Sequence, residues 1–583
     1  MTTQNTDVVG WGRAGAAWAE PAAWSCGRAL SEALVALGVR QAFGLLGGGI
    51  APFAAGLAAT AIEFFHLRHE AGAGFAAIEA SLISGRPTLA VVTTGPGLIN
   101  ILNPLFAARL DGARLLLISG ATPAHQRGRG AVQETGPHNL PSELYRPGCL
   151  FDDAALVESP EELAAFVQRL ARGWARPEGW VAHLALPMGL QTRILPGPLP
   201  LPPRSELRRA APSAETVDAC LDALRDPDAL VWLGSGAQEA SAVIRRFVEA
   251  ARLPVLCSPR GKGIFPEAHP LFVGVTGAGG SPAARQHLAR RRPRHSLVVG
   301  SRLSEVTTFL SPELLPSEGL LHVDRDPRAF GAAFPGVACL GIVSDAQTFF
   351  AALEARALET GWFARRAPPP LLPAAPPPTL HPRPDEGVRP AFLMAALQSQ
   401  VVEGSEALLL AEAGTSFTWC NALLRFATPG RYRTSPAWGS MGHVTTGALG
   451  AALAGRRKVV AVVGDGAMLM NNEINAAVQY RALVVWVVLN DAQLGLNEHG
   501  MTALGMAPVE TQMPRTDFVA FARSQGAAGR AVHSEGALED ALVEAMAATG
   551  PFVVDVQIDP TVPSPVVADR VSSLRRQSQG AGG

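Results

Sequence analysis

Two short polar segments, each following an apolar run, carry the clearest chemistry in this chain. Residues 458–464 (KVVAVVG) lead into Asp465-Gly466, and residues 483–490 (LVVWVVLN) lead into Asp491. Both runs read as buried strands, with a helix over residues 471–482 between them. Strand, helix, strand at this length is a right-handed crossover joining parallel strands, so both runs end on one edge of a sheet. Asp465 then meets Asn490 and Asp491, which follow it by 25 and 26 residues. Oxygen ligands at adjacent strand ends suit a hard divalent cation, and Mg²⁺ in such a place commonly bridges to phosphate. Gly-Asp-Gly alone is equally well a turn, and Asn-Asp alone a helix cap. The two together at this spacing favour the metal–phosphate reading.

A second candidate carboxylate lies near the other end of the chain. His69-Glu70 follows a strand expected over residues 62–67 and precedes a small-residue helix over 71–84. An isolated Glu there is by default a first-turn residue favoured by the helix dipole. Beside a dry Ala/Gly/Phe surface, however, a carboxyl group can hold and exchange a proton. His66, His69 and Glu70 fit neither His-Glu-x-x-His nor His-x-x-Glu-His, so zinc is not favoured. Glu412-Ala413-Gly414-Thr415-Ser416 puts hydroxyls and amides at a strand end before a helix, which suits a diphosphate or an ordinary cap.

These residues need three sheets to position them. At 583 residues the chain exceeds one core. Proline-rich stretches at 195–203 and 367–384 read as stiff linkers. They divide the chain into blocks at 21–194, 205–360 and 388–560, with a linker at 361–387 and a flexible tail at 561–583. Strands are expected at 41–46, 62–67, 88–93 and 114–119 in the first block. The second has 229–234, 254–257, 296–300 and 320–323; the third has 407–411, 459–464, 484–490 and 552–557. Strands alternating with helices in each block predict an α/β fold with mostly parallel sheets. Residues 42–62 and 87–108 are long uncharged or nearly uncharged stretches, but Gly47-Gly48-Gly49 with Pro52, and Gly95-Pro96-Gly97 with Pro104, break them into strand, turn and helix rather than a membrane span.

The net charge of −1 leaves no basic field for nucleic acid. The six cysteines are far apart with no Cys-x-x-Cys, which fits a reducing cytoplasm, and the N-terminus does not read as a signal peptide. The expectation is a soluble cytoplasmic protein without membrane partners.

Arg68-His69-Glu70 before its Gly/Ala-rich helix resembles the His-Glu-Gln segment of the pyrimidine-binding domain in thiamine-diphosphate (ThDP) enzymes. Residues 93–100 (TTGPGLIN) are similar to that domain's S/T-G-P-G-x-x-N turn. Residues 117–123 (LISGATP) and 131–135 (AVQET) resemble the ITGQVP and AFQE stretches of the acetolactate synthase branch. Trp438-Gly439-Ser440-Met441-Gly442 resembles the W-G-S-[I/M]-G segment of the diphosphate-binding domain in the decarboxylases and carboligases. The Gly-Asp-Gly and Asn490-Asp491 pair resembles the family signature, which ends in Asn-Asn. Residues 259–267 (PRGKGIFPE), 299–303 (VGSRL) and 322–327 (HVDRDP) resemble the central domain. The resemblance spans roughly residues 25–560 and implies three consecutive domains: pyrimidine-binding, central Rossmann-like and diphosphate-binding.

By that resemblance Glu70 is the catalytic acid, hydrogen-bonded to N1′ of the cofactor pyrimidine. Pro96, Asn100, Thr415, Ser416, Gly439, Met441, Gly466 and Ala467 bind the cofactor, Gly439 through its carbonyl and Met441 as an apolar wedge. Asp465, Asp491 and the Gln493 backbone carbonyl hold Mg²⁺, with Asn490 as the fallback ligand. Gln133, His443 and Leu496 are candidates for the substrate pocket. Two departures stand out: Ala71 where the family has Gln, and Asp491 where it has Asn. FAD, with Arg302 as its contact in the central domain, is not favoured.

The implied activity is that of an acetolactate-synthase-like carboligase. It decarboxylates a 2-oxo acid and couples the fragment to a second carbonyl compound, giving an acyloin or acetohydroxy acid. The alternative is a simple 2-oxo-acid decarboxylase releasing an aldehyde, although the His-His pair of pyruvate decarboxylases is missing after Gly120 and only His125 lies nearby. Val132 replaces the aromatic residue of AFQE. A non-catalytic relative is the third reading, and retention of Glu70, Asp465 and Met441 argues against it. The resemblance further implies a homodimer or homotetramer whose active site lies between the first domain of one subunit and the third domain of another.

Overall fold

The structure, a computed structural model, describes residues 24–203, 210–365, 380–383 and 387–580. Most of the expected linker at 361–387 lies outside them, as do residues 1–23.

Each block builds one six-stranded, wholly parallel sheet. The first contains β1 (Gln41–Leu45), β2 (Glu63–His66), β3 (Thr88–Val92), β4 (Arg114–Ala121), β5 (Asp153–Leu156) and β6 (Trp180–Pro187). The second contains β7 (Leu230–Leu233), β8 (Val255–Cys257), β9 (Phe272–Val275), β10 (His295–Val299), β11 (Gly319–Asp324) and β12 (Cys339–Val343). The third contains β13 (Leu408–Ala411), β14 (Tyr432–Thr434), β15 (Val459–Gly464), β16 (Val484–Asn490), β17 (Ala528–Val532) and β18 (Phe552–Gln557). All the expected strands are present within a residue or two. The first sheet has the order β2-β1-β3-β4-β6-β5 and the third β14-β13-β15-β16-β18-β17, so one topology occurs twice. The central sheet, β9-β8-β7-β10-β11-β12, has the Rossmann order.

Nine helices position the chemistry: α1 (Glu70–Ser84), α2 (Pro96–Asn100), α3 (Leu102–Asp111), α4 (Thr415–Leu423), α5 (His443–Gly455), α6 (Asp465–Met470), α7 (Ile474–Gln479), α8 (Gly495–Ala503) and α9 (Val567–Gly580). Helices α1 and α5 occupy equivalent places in the first and third domains, each following the second strand of its sheet, and they pack on one another. Both are rich in Gly and Ala, which lets their backbones approach. A Cβ at Gly450 would collide with the Ala76 carbonyl. Phe75, Ile78, Val444 and Leu449 join strands of both sheets in one continuous hydrophobic cluster. The central domain has its own core around Phe247, Phe349, Phe350 and Trp362.

The segment resembling a central-domain motif acts as a stitch. Arg260 donates to Asp111 of the first domain (3.0 Å), while Lys262 bridges Glu267 (2.8 Å) and the Asn421 carbonyl (3.2 Å) of the third.

Two expectations need correction. The tail expected to be flexible at 561–583 carries α9, which packs against α8 and pairs Asp569 with Arg285. Val567, Val571 and Leu574 recur at helical spacing, and the first two are buried. The helix expected over 471–482 is shorter, α7 over Ile474–Gln479, and a separate helix, α6, precedes it and begins at Asp465 itself. No helix among the described residues is long and apolar enough to cross a membrane.

Candidate active site

Strands β15 and β16 pair in parallel from Val459↔Val484 to Gly464↔Leu489, so Asp465 and Asp491 emerge on one sheet edge. Asp465 accepts from the amides of Gly466 (2.7 Å) and Ala492 (2.8 Å). The Asp491 carboxylate accepts from the Gln493 side-chain amide at 3.4 Å and sits over Gly495, where a Cβ would come within 2.6 Å of it. Burial, reinforced by the charge of Asp491, pushes the Asp465 carboxyl up to about 7. Burial likewise pushes Asp491 up to about 6. Neither acid bonds a basic side chain among the described residues. A divalent cation would relieve this arrangement, and the donor set, two carboxylates on a strand edge, suits Mg²⁺.

The same edge offers a receptor for a diphosphate. Gly414 (φ +107°) turns the chain so that Thr415 and Ser416 open α4, and Ser416 Oγ lies 3.9 Å from where a Gly464 Cβ would be. Gly466 leaves a cradle beneath Met441 and Leu494, whose methyl groups would stand 3.1 and 3.3 Å from a Cβ there. Ala467 follows in the first turn of α6, and Leu496 lies in the first turn of α8. Gln493 is buried, its side chain donating to the Pro560 carbonyl (3.1 Å) and accepting from Gln512 (3.0 Å). Asn490, the fallback ligand, is engaged elsewhere. Its amide group donates to Thr516 O (2.9 Å) and Asp555 (2.8 Å), because alternation along β16 turns it away from Asp491.

On the first domain, Glu70 is the first residue of α1 and is buried. Its Oε2 accepts from Asn100 (3.0 Å), and a Cβ at Gly97 would stand 3.2 Å from its Oε1. Pro96 opens α2 after Gly95 (φ +64°). On the far side of that turn Gln133 holds a left-handed conformation (φ +52°), accepts from Thr94 Oγ1 (3.1 Å) and packs against Gly95. Glu70 and Gln133 therefore flank the same turn at residues 95–97. His69 caps α1 by accepting from the Ala71 amide (3.1 Å), which gives it a structural task.

Residues 438–443 are held against the first domain of the same chain. Trp438 stacks on Phe106 (centroids 4.8 Å apart), and its Nε1 and the Ser440 hydroxyl donate to Asn103 (2.7 and 2.9 Å). Gly439 (φ +71°) and Gly442 (φ +86°) shape the loop that presents Met441. His443, a candidate for the substrate pocket, opens α5 and faces Glu79 of α1. It is buried with Nε2 3.0 Å from Glu79, and Arg433 clasps Glu79 with two bonds (2.6 and 3.0 Å). Burial opposes ionisation of Glu79, yet Arg433 and His443 hold its carboxyl far below the usual range. Glu412 accepts from the amides of Val444 and Thr445 (both 3.0 Å), capping α5 from beneath. The sequence reading missed Glu79, Arg433 and the buried role of Glu412. A lone acid inside the otherwise small and apolar α1 was the available signal for Glu79. Ligand atoms of Glu79, Asp111 and His443 lie within 4.8 Å of one another, but Arg433 and Arg260 already neutralise the acids. The cluster is an ion-pair network.

In the central domain a cavity of about 520 Å³ opens where β7, β10 and β11 end. Arg302, the expected FAD contact, lines it and pairs with Asp326 (3.4 Å).

Two copies of one parallel-sheet topology around a Rossmann-ordered sheet, with a buried acid on the first and a paired-acid edge on the third, define a thiamine-diphosphate-dependent enzyme. Family models agree across all three domains. "Thiamine pyrophosphate enzyme, N-terminal TPP binding domain" matches residues 25–140, the central domain 219–353, and the C-terminal TPP binding domain 412–556. A Mycobacterium tuberculosis protein assigned as an acetolactate synthase large subunit (IlvB2) is 31% identical over 514 residues, 85% of this chain and 91% of that one. The acetolactate synthase isozyme 1 large subunit of Escherichia coli is 26% identical over 538 residues, 90% and 92% of the two chains. The Rhodococcus jostii RHA1 thiamine diphosphate-dependent 4-hydroxybenzoylformate decarboxylase has the same fold, with TM-score 0.77, 21% identity and coverage of 92% and 99%. The chain belongs to the ThDP enzymes, in the acetolactate synthase branch.

Proposed function

We propose that the protein is a Mg²⁺-dependent carboligase that decarboxylates a 2-oxo acid and joins the remaining fragment to a second carbonyl compound, yielding an acyloin or acetohydroxy acid. The supporting observation is that Gln133 packs against Gly95 and Glu70 against Gly97 of one turn. An amide able to orient a carbonyl or carboxylate and a buried acid thus share the turn at residues 95–97. The relatives in the acetolactate synthase branch support the same choice over simple decarboxylation.

Bound ThDP supplies a nucleophilic carbon and an electron sink, the chemistry that decarboxylation of a 2-oxo acid requires. The residues of this chain do the rest. Glu70 holds and moves the proton at the pyrimidine N1′, with Asn100 fixing its carboxylate. Asp465, Asp491 and the Gln493 carbonyl hold Mg²⁺. Thr415, Ser416 and the amides of Gly466 and Ala467 receive the diphosphate, and Gly439 and Met441 orient the pyrimidine. Gln133 and Leu496 contact substrate.

Among the described residues no hydrogen bond joins Glu70 to the Asp465–Asp491 edge within one chain. A second copy would complete the site, as a homodimer or homotetramer. Six free cysteines favour a cytoplasmic location. The test is incubation with ThDP, Mg²⁺ and a panel of 2-oxo acids, with and without aldehyde acceptors, followed by mass spectrometry. A coupled ketol supports the proposal; an aldehyde as sole product makes the enzyme a decarboxylase.

A further inference from the structure

The turn that carries Glu70 is gripped from the third domain. Glu473, seven residues past Gly466, is fully buried and sends its carboxylate across the domain boundary. Both of its oxygens accept from the Arg68 amide (3.1 and 3.0 Å), and Oε1 also accepts from the His69 amide (3.2 Å). Gly72, in the first turn of α1, makes room for it, since a Cβ there would stand 2.5 Å from Glu473 Oε1. The neighbours of Glu473 hold the same turn. The Arg68 side chain donates to Asn475 (2.8 Å) and Gln479 (2.6 Å), and the His66 amide donates to the Tyr480 hydroxyl (2.7 Å).

A carboxylate buried without a bonded side-chain cation is an expensive way to satisfy two amides. What it does provide is geometry. The Arg68 and His69 amides immediately precede Glu70, at the point where the chain leaves β2 and enters α1.

We infer that Glu473 is a positioning residue that fixes the turn at residues 66–70 and so sets the place of the Glu70 carboxylate in its own chain. This rests on Glu70 being the proton carrier proposed above. If each site joins the first domain of one copy to the third domain of another, Glu473 follows the diphosphate edge of one site and holds the proton carrier of the other. Glu473 thereby links the two sites physically.

The test uses Glu473→Ala, Glu473→Gln and subunit hybrids. In cofactor-free protein, amide hydrogen exchange over residues 66–70 should quicken about tenfold in Glu473→Ala, the effect of losing one or two hydrogen bonds. Glu473→Gln, which keeps one accepting oxygen, should fall between. In the loaded enzyme, C2-proton exchange of bound ThDP should slow about tenfold or more while ThDP affinity stays within about twofold. Unchanged amide exchange, or ThDP affinity lost in step with C2 exchange, overturns the inference. Hybrids separate the route of action. Pairing a Glu70→Gln chain with a Glu473→Gln chain should rescue nothing, because each copy then carries a damaged Glu70 turn. If Glu473 acted through its own diphosphate edge, both defects would fall in one site, and the other would recover wild-type exchange. A Glu70→Gln and Asp465→Asn hybrid is the control. Its failure to recover a working site would sink the shared-site reading, while the amide-exchange and C2-exchange results would still decide the role of Glu473.

Discussion

The first and third sheets share one strand order, yet their strand ends carry opposite chemistry. Past its first strand, the first sheet has only Gly47-Gly48-Gly49, where the third has Glu412 through Ser416. After the second strand comes Glu70 in one sheet and the Gly439–Met441 loop in the other. The third strand leads to Gly95-Pro96-Gly97 in one and to Asp465 in the other. One copy of the scaffold thus presents a buried acid, the proposed proton carrier, on a glycine-lined edge, and the other presents the paired acids and hydroxyls proposed to hold a cation and a diphosphate. The backbone topology supplies equivalent places at the carboxyl ends of the strands. The side chains decide what each place does. The equivalent helices α1 and α5 pack together, so the two half-sites are parts of one core.

The largest effects should come from breaking the two edges separately. Glu70→Gln should slow C2-proton exchange of bound ThDP by about 10²–10⁴-fold, the usual worth of a positioned acid or base. It should leave Mg²⁺-dependent ThDP binding near wild type. Asp465→Asn should do the reverse, weakening ThDP and Mg²⁺ binding in calorimetry before any chemistry is measured. If Glu70→Gln loses cofactor affinity as severely as Asp465→Asn, the division of labour between the edges is wrong.

The joint between the copies comes next. Arg433 of the third domain clasps Glu79 of the first with both partners largely buried. Arg433→Met strands a buried carboxylate and should cost about 3–5 kcal/mol in urea unfolding. The pH dependence has a definite sign. Glu79 is held below its ordinary 4.5, so the stabilisation is fully present above that value and fades as pH falls through and below it. Arg433→Met should remove that acid-side loss, and a variant with an unchanged pH profile would show that Glu79 is satisfied by His443 alone.

At the seam itself the expected effect is smaller. Gly450→Ala sets a methyl group against the Ala76 carbonyl, and overpacking of this kind costs about 1–3 kcal/mol. Both half-sites should lose stability together, because α1 and α5 serve both. A melting curve in which only one domain shifts would mean that the shared core is less continuous than its packing indicates.

Much of this was legible in the sequence, and the misses have a common physical origin. Buried parallel strands are continuous apolar runs, so residues 459–464 and 484–490 were read with correct bounds. Of the six unanticipated strands in the three large sheets, five, β5, β9, β12, β14 and β17, are sheet edges. An edge is paired on one side only and needs no apolar run; Cys339–Val343 and Ala528–Val532 are largely solvent-facing. The exception, β6 (Trp180–Pro187), is interior and buried, but His183 interrupts its apolar run; the imidazole is satisfied by Ser119 and the Leu144 carbonyl. In the candidate site, the residues singled out from the sequence lie beside glycine turns, where the backbone has few alternatives. Glu79, Arg433 and Glu473 were not singled out, since each gains its meaning from a partner hundreds of residues away, and no local pattern encodes that pairing. The contact of His443 with Glu79 was invisible for the same reason.

The smallest effect is expected at Asp491, one of the two departures from the pattern this chain resembles. Asp491 puts a second full charge beside Asp465 on an edge meant for a diphosphate and a cation. Replacing it by Asn removes that charge but keeps an oxygen ligand at the same strand end. Two consequences oppose each other: the neutral ligand attracts Mg²⁺ less, and the diphosphate is repelled less. Asp491→Asn should therefore retain Mg²⁺-dependent ThDP binding within about tenfold, or 1.4 kcal/mol, of wild type in calorimetry at fixed ThDP. The Asp465 carboxyl, relieved of its neighbour, should ionise more readily. Asp491→Ala, which leaves no oxygen at that position, should be worse than Asp491→Asn. If the Asn and Ala variants instead both bind Mg²⁺ and ThDP as tightly as wild type, Asp491 does not bind the metal and the third-domain edge must be rebuilt around Asp465 alone.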